Sequence, residues 1–135
     1  MPTTSTPALP RSSCTKLTIR VLLGSGAPGY EFAALQFVND GSRACTLAGV
    51  PTVTLLRNGS PTGSVSQPST PQARFGTYKL APGAVAESRL KDFSSCNAPL
   101  SQTIKVVAPG SSIASTRPGE LRACKLVVYP LGKPE

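Results

Sequence analysis

The chain has 135 residues, with 14 Pro, 12 Gly, 4 Phe, 3 Tyr, no Trp and no His, and a net charge of +8 from 14 Lys/Arg against 6 Asp/Glu. That length makes one domain with room for a sizeable core, and a composition rich in Pro and Gly belongs to short strands joined by tight turns rather than to helices. The missing histidine excludes Ser-His-Asp and Cys-His catalysis, and no window approaches the roughly 18 apolar residues of a membrane span.

Met1 runs directly into PTTSTPALPRSS, a segment that cannot bury apolar area. Residues 1–13 are expected to be a flexible linker, with an export signal or lipid-anchor region removed ahead of it, and residues 14–135 a single domain. After Cys14, Leu17, Ile19, Val21 and Leu23 alternate with Lys16, Thr18 and Arg20, the period-two pattern of a half-buried strand. A turn through Gly24–Gly29 should return Phe32–Val38 antiparallel to it, and Asn39-Asp40-Gly41-Ser42 stops that second strand. Cys45 then leads through Gly49 and Pro51 into Val53–Arg57, and Asn58-Gly59 is a hairpin signal that also accounts for the formal sequon Asn58-Gly59-Ser60.

From Pro61 to Gly76 the chain reads as a long loop with a short strand near Val65. Tyr78–Leu80 is a short strand, Ala81-Pro82-Gly83 a tight turn, and Ala84–Leu90 the next strand, with Val85 or Ala86, Ser88 and Leu90 facing inward. Asp92–Pro99 reads as a loop, Thr103–Val107 as a strand, 111–119 as a polar loop and Leu121–Tyr129 as the last strand, with Cys124, Leu126 and Val128 on one face. Seven or eight antiparallel strands with no helical period predict an all-β, immunoglobulin-like Greek-key β-sandwich. The Cys–Trp–Cys pattern of antibody domains is missing, so that likeness is architectural.

Several features coincide: a Cys before the first strand, a Phe/Leu strand ending in Asn39 and Gly41, and the run Cys45-Thr46-Leu47-Ala48-Gly49-Val50-Pro51. Leu80-Ala81-Pro82-Gly83 with Ala86 follows later, and Cys124 stands in the last strand ahead of Pro130. From Cys14 to Pro130 the chain resembles the actinobacterial domain-of-unknown-function family 4232, found on exported proteins and lipoproteins. The resemblance implies export and an envelope location. It carries no assigned activity, and only the cysteines transfer as functional residues.

Cysteines at 14, 45, 96 and 124 lack the close pairs and histidines of a zinc site. Two disulfides are the expectation, and they place the protein outside the cytoplasm. Of three connectivities, the strand reading favours Cys14–Cys45 and Cys96–Cys124. A hairpin of 15–23 with 31–39 sets residue 14 opposite about residue 40, within a short turn of Cys45. A hairpin of 103–107 with 121–129 would bring Cys124 near the segment that follows Cys96.

The basic residues are scattered, with no run of five and no aromatic interleaving of the kind that stacks bases. A solvated basic face is the expectation, attracted weakly to anionic polymers, with no specific nucleic-acid partner. The carboxylates are Glu31, Asp40, Glu87, Asp92, Glu120 and Glu135. Only Glu31 with Glu87 offers a pair for glycoside hydrolysis, and both read as solvated strand residues. No phosphate loop or copper-ligand set is present, so no catalytic residue, metal or cofactor is expected, and a hydrolase is the remaining enzymatic reading. The expected role is a monomeric envelope module, secreted or held as a lipoprotein, that binds a protein, glycan or lipid without catalysis. The alternative is a small secreted inhibitor or effector of an envelope or host enzyme.

Overall fold

A computed structural model describes residues 12–27, 30–62, 65–71, 74–93, 99–122 and 124–133. Its named elements are strands throughout: β1 (Leu17–Ala27), β2 (Tyr30–Asn39), β3 (Cys45–Ala48), β4 (Thr52–Arg57), β5 (Ser60–Pro61), β6 (Gln67–Pro68), β7 (Thr77–Leu80), β8 (Val85–Phe93), β9 (Thr103–Val107), β10 (Ala114–Pro118) and β11 (Lys125–Val128). They form a five-stranded sheet, β1-β2-β8-β11-β6, a four-stranded sheet, β10-β9-β4-β5, and the pair β3-β7. Every pairing is antiparallel except β11 with β6.

The first hairpin forms as the alternation requires, with Leu17 opposite Asn39, Ile19 opposite Phe37 and Val21 opposite Leu35. The bulge between Leu23 and Gly26 breaks the register near the turn. Pairing side chains at period two puts Ala33, Leu35 and Phe37 of β2 and Ala86, Ser88 and Leu90 of β8 on one buried face. Leu126 and Val128 continue that face across β11. Val53 and Leu55 of β4, Ile104 and Val106 of β9, and Leu47 and Leu80 of β3 and β7 join them in one core cluster, so the three sheets share a single interior.

Two tight turns follow the residues written for them. Asn58 (φ 52°) and Gly59 (φ 79°) both occupy the left-handed region that a two-residue β4–β5 hairpin demands. Pro82 and Gly83 (φ 79°) form the β7–β8 turn, closed by the Ala84 amide donating to the Ala81 carbonyl at 2.9 Å.

Asn39, at the end of β2 and 2% exposed, ties the corner of the molecule together. Its Oδ1 accepts from the Gly41 amide at 2.9 Å, and its Nδ2 donates to the carbonyls of Arg43 at 2.8 Å and Leu80 at 3.2 Å. Its backbone amide donates to Ala84 O at 3.0 Å, and its carbonyl accepts from the Gly83 amide at 2.8 Å. The side-chain bonds explain why Asn-x-Gly stands before the cysteine: the amide turns the chain through 40–43 and fixes it to β7. Cys45 then meets Cys14, with a Cα–Cα distance of 4.9 Å and the disulfide formed.

Several expectations are corrected. Among the described residues there are eleven strand segments rather than seven or eight, because the short β3, the two-residue β5 and the edge strand β10 add to those expected. The 111–119 stretch contains β10, whose burial pattern is nearly all exposed because it is a sheet edge. It is β10 that pairs with β9, from Ala114 opposite Val107 to Pro118 opposite Thr103. The last strand is only Lys125–Val128 and lies between β8 and β6, so the 103–107 with 121–129 hairpin does not exist. β8 runs three residues beyond Leu90, to Phe93.

One of the two expected disulfides, Cys14–Cys45, is described. For the other, Cys124 is disulfide-bonded, while Cys96 lies outside the described residues. Ser12 and Ser13, within the expected linker, hydrogen-bond to β3. The Ser13 amide donates to Thr46 O at 2.9 Å, the Thr46 amide to Ser13 Oγ at 2.8 Å, and the Ala48 amide to Ser12 Oγ at 3.0 Å.

Replacing Asn39 by Ala strands a buried amide and two carbonyls, each costing about 1–3 kcal/mol when unpaired and partly recovered by water at this corner. A loss of about 2–4 kcal/mol in urea unfolding is expected, and Asn39→Asp, which cannot donate to Leu80 O, should also destabilise; an Ala variant as stable as the parent would refute this account. Cys14→Ser with Cys45→Ser opens a closed loop of sequence separation 31, worth about 3.7 kcal/mol in the chain-entropy estimate, and should lower the melting temperature correspondingly.

Candidate functional site

With β2 and β8 burying one set of alternate residues, the other set faces out, and the registers line those residues up in rows. Tyr30 lies opposite Phe93, which lies opposite Lys125; Phe32 lies opposite Lys91, which lies opposite Val127. Leu22 and Arg89 flank Ala34 in the next row, and Arg20 and Glu87 flank Gln36 in the row after. The outward face of the five-stranded sheet thus carries three aromatic rings, four cations and one carboxylate, and that carboxylate, Glu87, accepts a hydrogen bond from Gln36 at 3.0 Å.

The rings and cations are in contact. Tyr30 and Phe32 meet edge to face with centroids 5.4 Å apart. Lys91 Nζ sits 4.6 Å from the Tyr30 centroid, 4.7 Å from Phe93 and 5.5 Å from Phe32. Arg89 lies 5.5 Å over Phe32, and Lys125 5.5 Å over Phe93. Each such contact contributes about 0.5–1 kcal/mol where water still reaches it. The rings hold the cations in fixed positions, and the lysine stem covers part of their apolar surface. Leu22, 49% exposed, extends the apolar part of the patch beside Phe32 and Arg89.

The linear sequence does not show this grouping of rings and cations. Tyr30 and Phe32 stand about 60 positions before Arg89, Lys91 and Phe93 in the chain, and only the β2–β8 register brings them together. The sequence signal is that Arg89, Lys91 and Phe93 share one parity; ending the strand at Leu90 leaves two of the three in or next to a loop.

The proposed acid pair fares differently. Glu31 lies opposite Asp92 and Glu87 opposite Gln36, five register steps apart and on opposite faces, so the two do not meet. At about 3.4 Å per step they are separated by roughly 17 Å. Among the described residues no group of three His, Cys, Asp or Glu is placed to hold a metal. An open cleft beside the disulfide is lined by Ser13, Lys16, Asn39 and Arg43, but Asn39 is spent on its internal bonds.

The acid that matters structurally is one assigned to a loop. Asp92 lies in β8 on the inward side, 1% exposed, and its Oδ2 accepts from the Arg122 amide at 2.9 Å. Its Oδ1 has no hydrogen-bond partner. Burial pushes its pKa up from 3.8 to about 6, aided by the negative charge of Glu31 and opposed by the Arg122 amide and guanidinium. The other buried polar side chains are satisfied: Ser88 Oγ donates to Tyr129 O and Ser101 Oγ to Gly119 O, both at 2.7 Å.

Together these features define an all-β, disulfide-bonded domain whose most distinctive surface is a basic, aromatic sheet face. The chain belongs to the family described as Domain of unknown function (DUF4232), whose profile matches residues 14–125. No curated protein and no solved structure matches it.

Asp92 makes stability depend on pH in a definite direction. Its folded pKa is raised, so between about 4 and 6 the folded state holds the proton that the unfolded state has lost, and stability falls as pH rises through that window. A two-unit shift corresponds to at most about 3 kcal/mol. Asp92→Asn should flatten this dependence and raise the melting temperature at pH 7.5; an unchanged pH profile would show that the carboxyl is not the group responsible.

Proposed function

We propose that the protein is an exported, non-catalytic binding module of the cell envelope, secreted or held there as a lipoprotein, and that it engages its partner through the outward face of β2, β8 and β11. The observation that carries this reading is the cluster of Tyr30, Phe32 and Phe93 around Lys91, with Arg89 and Lys125 beside it. Part-exposed rings held among cations offer apolar and charged contacts side by side, and charge arranged in this way favours anionic partners. The Cys14–Cys45 bridge supports export, because disulfides persist in oxidising compartments.

The same reading takes the architecture as an immunoglobulin-like Greek-key sandwich. In its favour, the chain leaves the five-stranded sheet after β2, forms β4 and β5 in the four-stranded sheet, and returns to place β8 beside β2. It crosses again for β9 and β10 before β11 closes against β8. A Cys96–Cys124 bridge completes the proposed disulfide set, and a non-reducing peptide map should yield one fragment joining those two residues.

Sedimentation with isolated cell envelopes tests the role. The screening length falls from about 30 Å at 0.01 M salt to about 8 Å at 0.15 M. Binding should be substantial at the lower salt and much weaker at the higher; absence of binding at 0.01 M, or equal binding at both, argues against an electrostatic envelope module.

A further inference from the structure

We infer that the basic, aromatic face binds a linear anionic polysaccharide. The inference rests on the reading of the protein as an envelope binding module and names the chemistry of its partner.

The cations are not spread evenly over the face. Following the registers, Arg20, Arg89, Lys91 and Lys125 step one row at a time from β1 across to β11. With about 6.6 Å between same-face residues along a strand and about 4.8 Å between strands, successive positions lie about 7–12 Å apart. They form a diagonal stripe, and its only carboxylate, Glu87, is engaged with Gln36 at one end. An extended polymer with charges repeating along its length can follow a stripe of this kind from β1 to β11, which a compact anion cannot span.

The rings decide what lies between the charges. Phe32 is flanked by Arg89 and Lys91, Phe93 by Lys91 and Lys125, and Tyr30 by Lys91. Single-stranded nucleic acid needs ring faces open for base stacking, and here the cations occupy them. Membrane insertion needs apolar side chains that protrude below the headgroups, and these rings lie half-buried on a sheet. A sugar chain offers carboxylates or other anionic groups to the cations, and C–H groups to the part of each ring face that the cations leave uncovered. Leu22 and Val127 border the stripe with further apolar surface for those C–H groups.

The test titrates the full chain with polygalacturonate at 0.05 M salt by calorimetry, with neutral dextran as the uncharged control. Phe32→Ala and Lys91→Ala should each weaken binding about five-fold, the equivalent of about 1 kcal/mol. Lys105→Ala removes the same charge from an exposed position of β9 in the other sheet and should weaken it less than two-fold. Arg89→Gln, exposed and outside the core, replaces Phe32→Ala should that variant melt early.

The inference is overturned by no binding to polygalacturonate, by equal binding to dextran, or by equal weakening in Lys105→Ala, which would mean diffuse charge. It is likewise overturned if an oligothymidylate binds more tightly with dependence on Phe32, or if only phosphatidylglycerol vesicles bind. Envelopes that bind while polygalacturonate does not remove this inference alone; failure of both removes the module reading as well.

Discussion

The fold depends on one buried amide. A sheet of five strands and a sheet of four cannot share a core unless the chain leaves the first cleanly, and Asn39 makes that exit. Its side chain satisfies Gly41 N, Arg43 O and Leu80 O at once, so the turn is tied to β7 and the buried Leu80 bond is made. An acid would lose both donations, and a serine is too short to span the three partners. The Cys14–Cys45 bridge lies just beyond this corner, and Ser12 and Ser13 lace the incoming chain to β3 beside it. The corner is thus fixed three times over, by amide, disulfide and backbone ladder.

How far the sequence was legible follows from where each strand meets water. β1 and β2 were readable because one face is buried and the other solvated, which writes alternation into the chain. The Asn58-Gly59 and Pro82-Gly83 turns were readable because few residues accept their backbone conformations. β10 was not, because an edge strand with exposed side chains on nearly every position reads as a polar loop. The far end of β8 was lost for a different reason: Asp92 occupies an inward position, and a carboxylate there breaks the pattern that marks a strand. That single substitution of charge for hydrocarbon hid both the buried acid and the aromatic face next to it. The same shortfall hides the place of the last strand, since β11 pairs with Leu90–Phe93 at the far end of β8.

The two faces of the five-stranded sheet divide the work. Inward, Leu35, Phe37, Leu90 and Leu126 are fully buried and leave little freedom for substitution. Outward, the side chains are only part-buried and leave more freedom for contact with other molecules. A face built of rings and cations needs a backbone that holds their spacing. β2 and β8 supply it through nine consecutive paired positions, from Tyr30 opposite Phe93 to Val38 opposite Val85.

The sheet edges have a consequence for crowding. β5, β6 and β10 are outer strands, and each contains a proline: Pro61, Pro68 and Pro118. Proline has no amide proton to offer a neighbouring strand and is tolerated chiefly at such margins. Three of the four outer strands of the larger sheets are therefore poor templates for joining to a second molecule. β1 has no proline, and the bulge between Leu23 and Gly26 interrupts its paired side. Copies of this domain packed densely are protected against fusing through their backbones on three margins of the two larger sheets, and β1 is the outer strand of those sheets left without a proline.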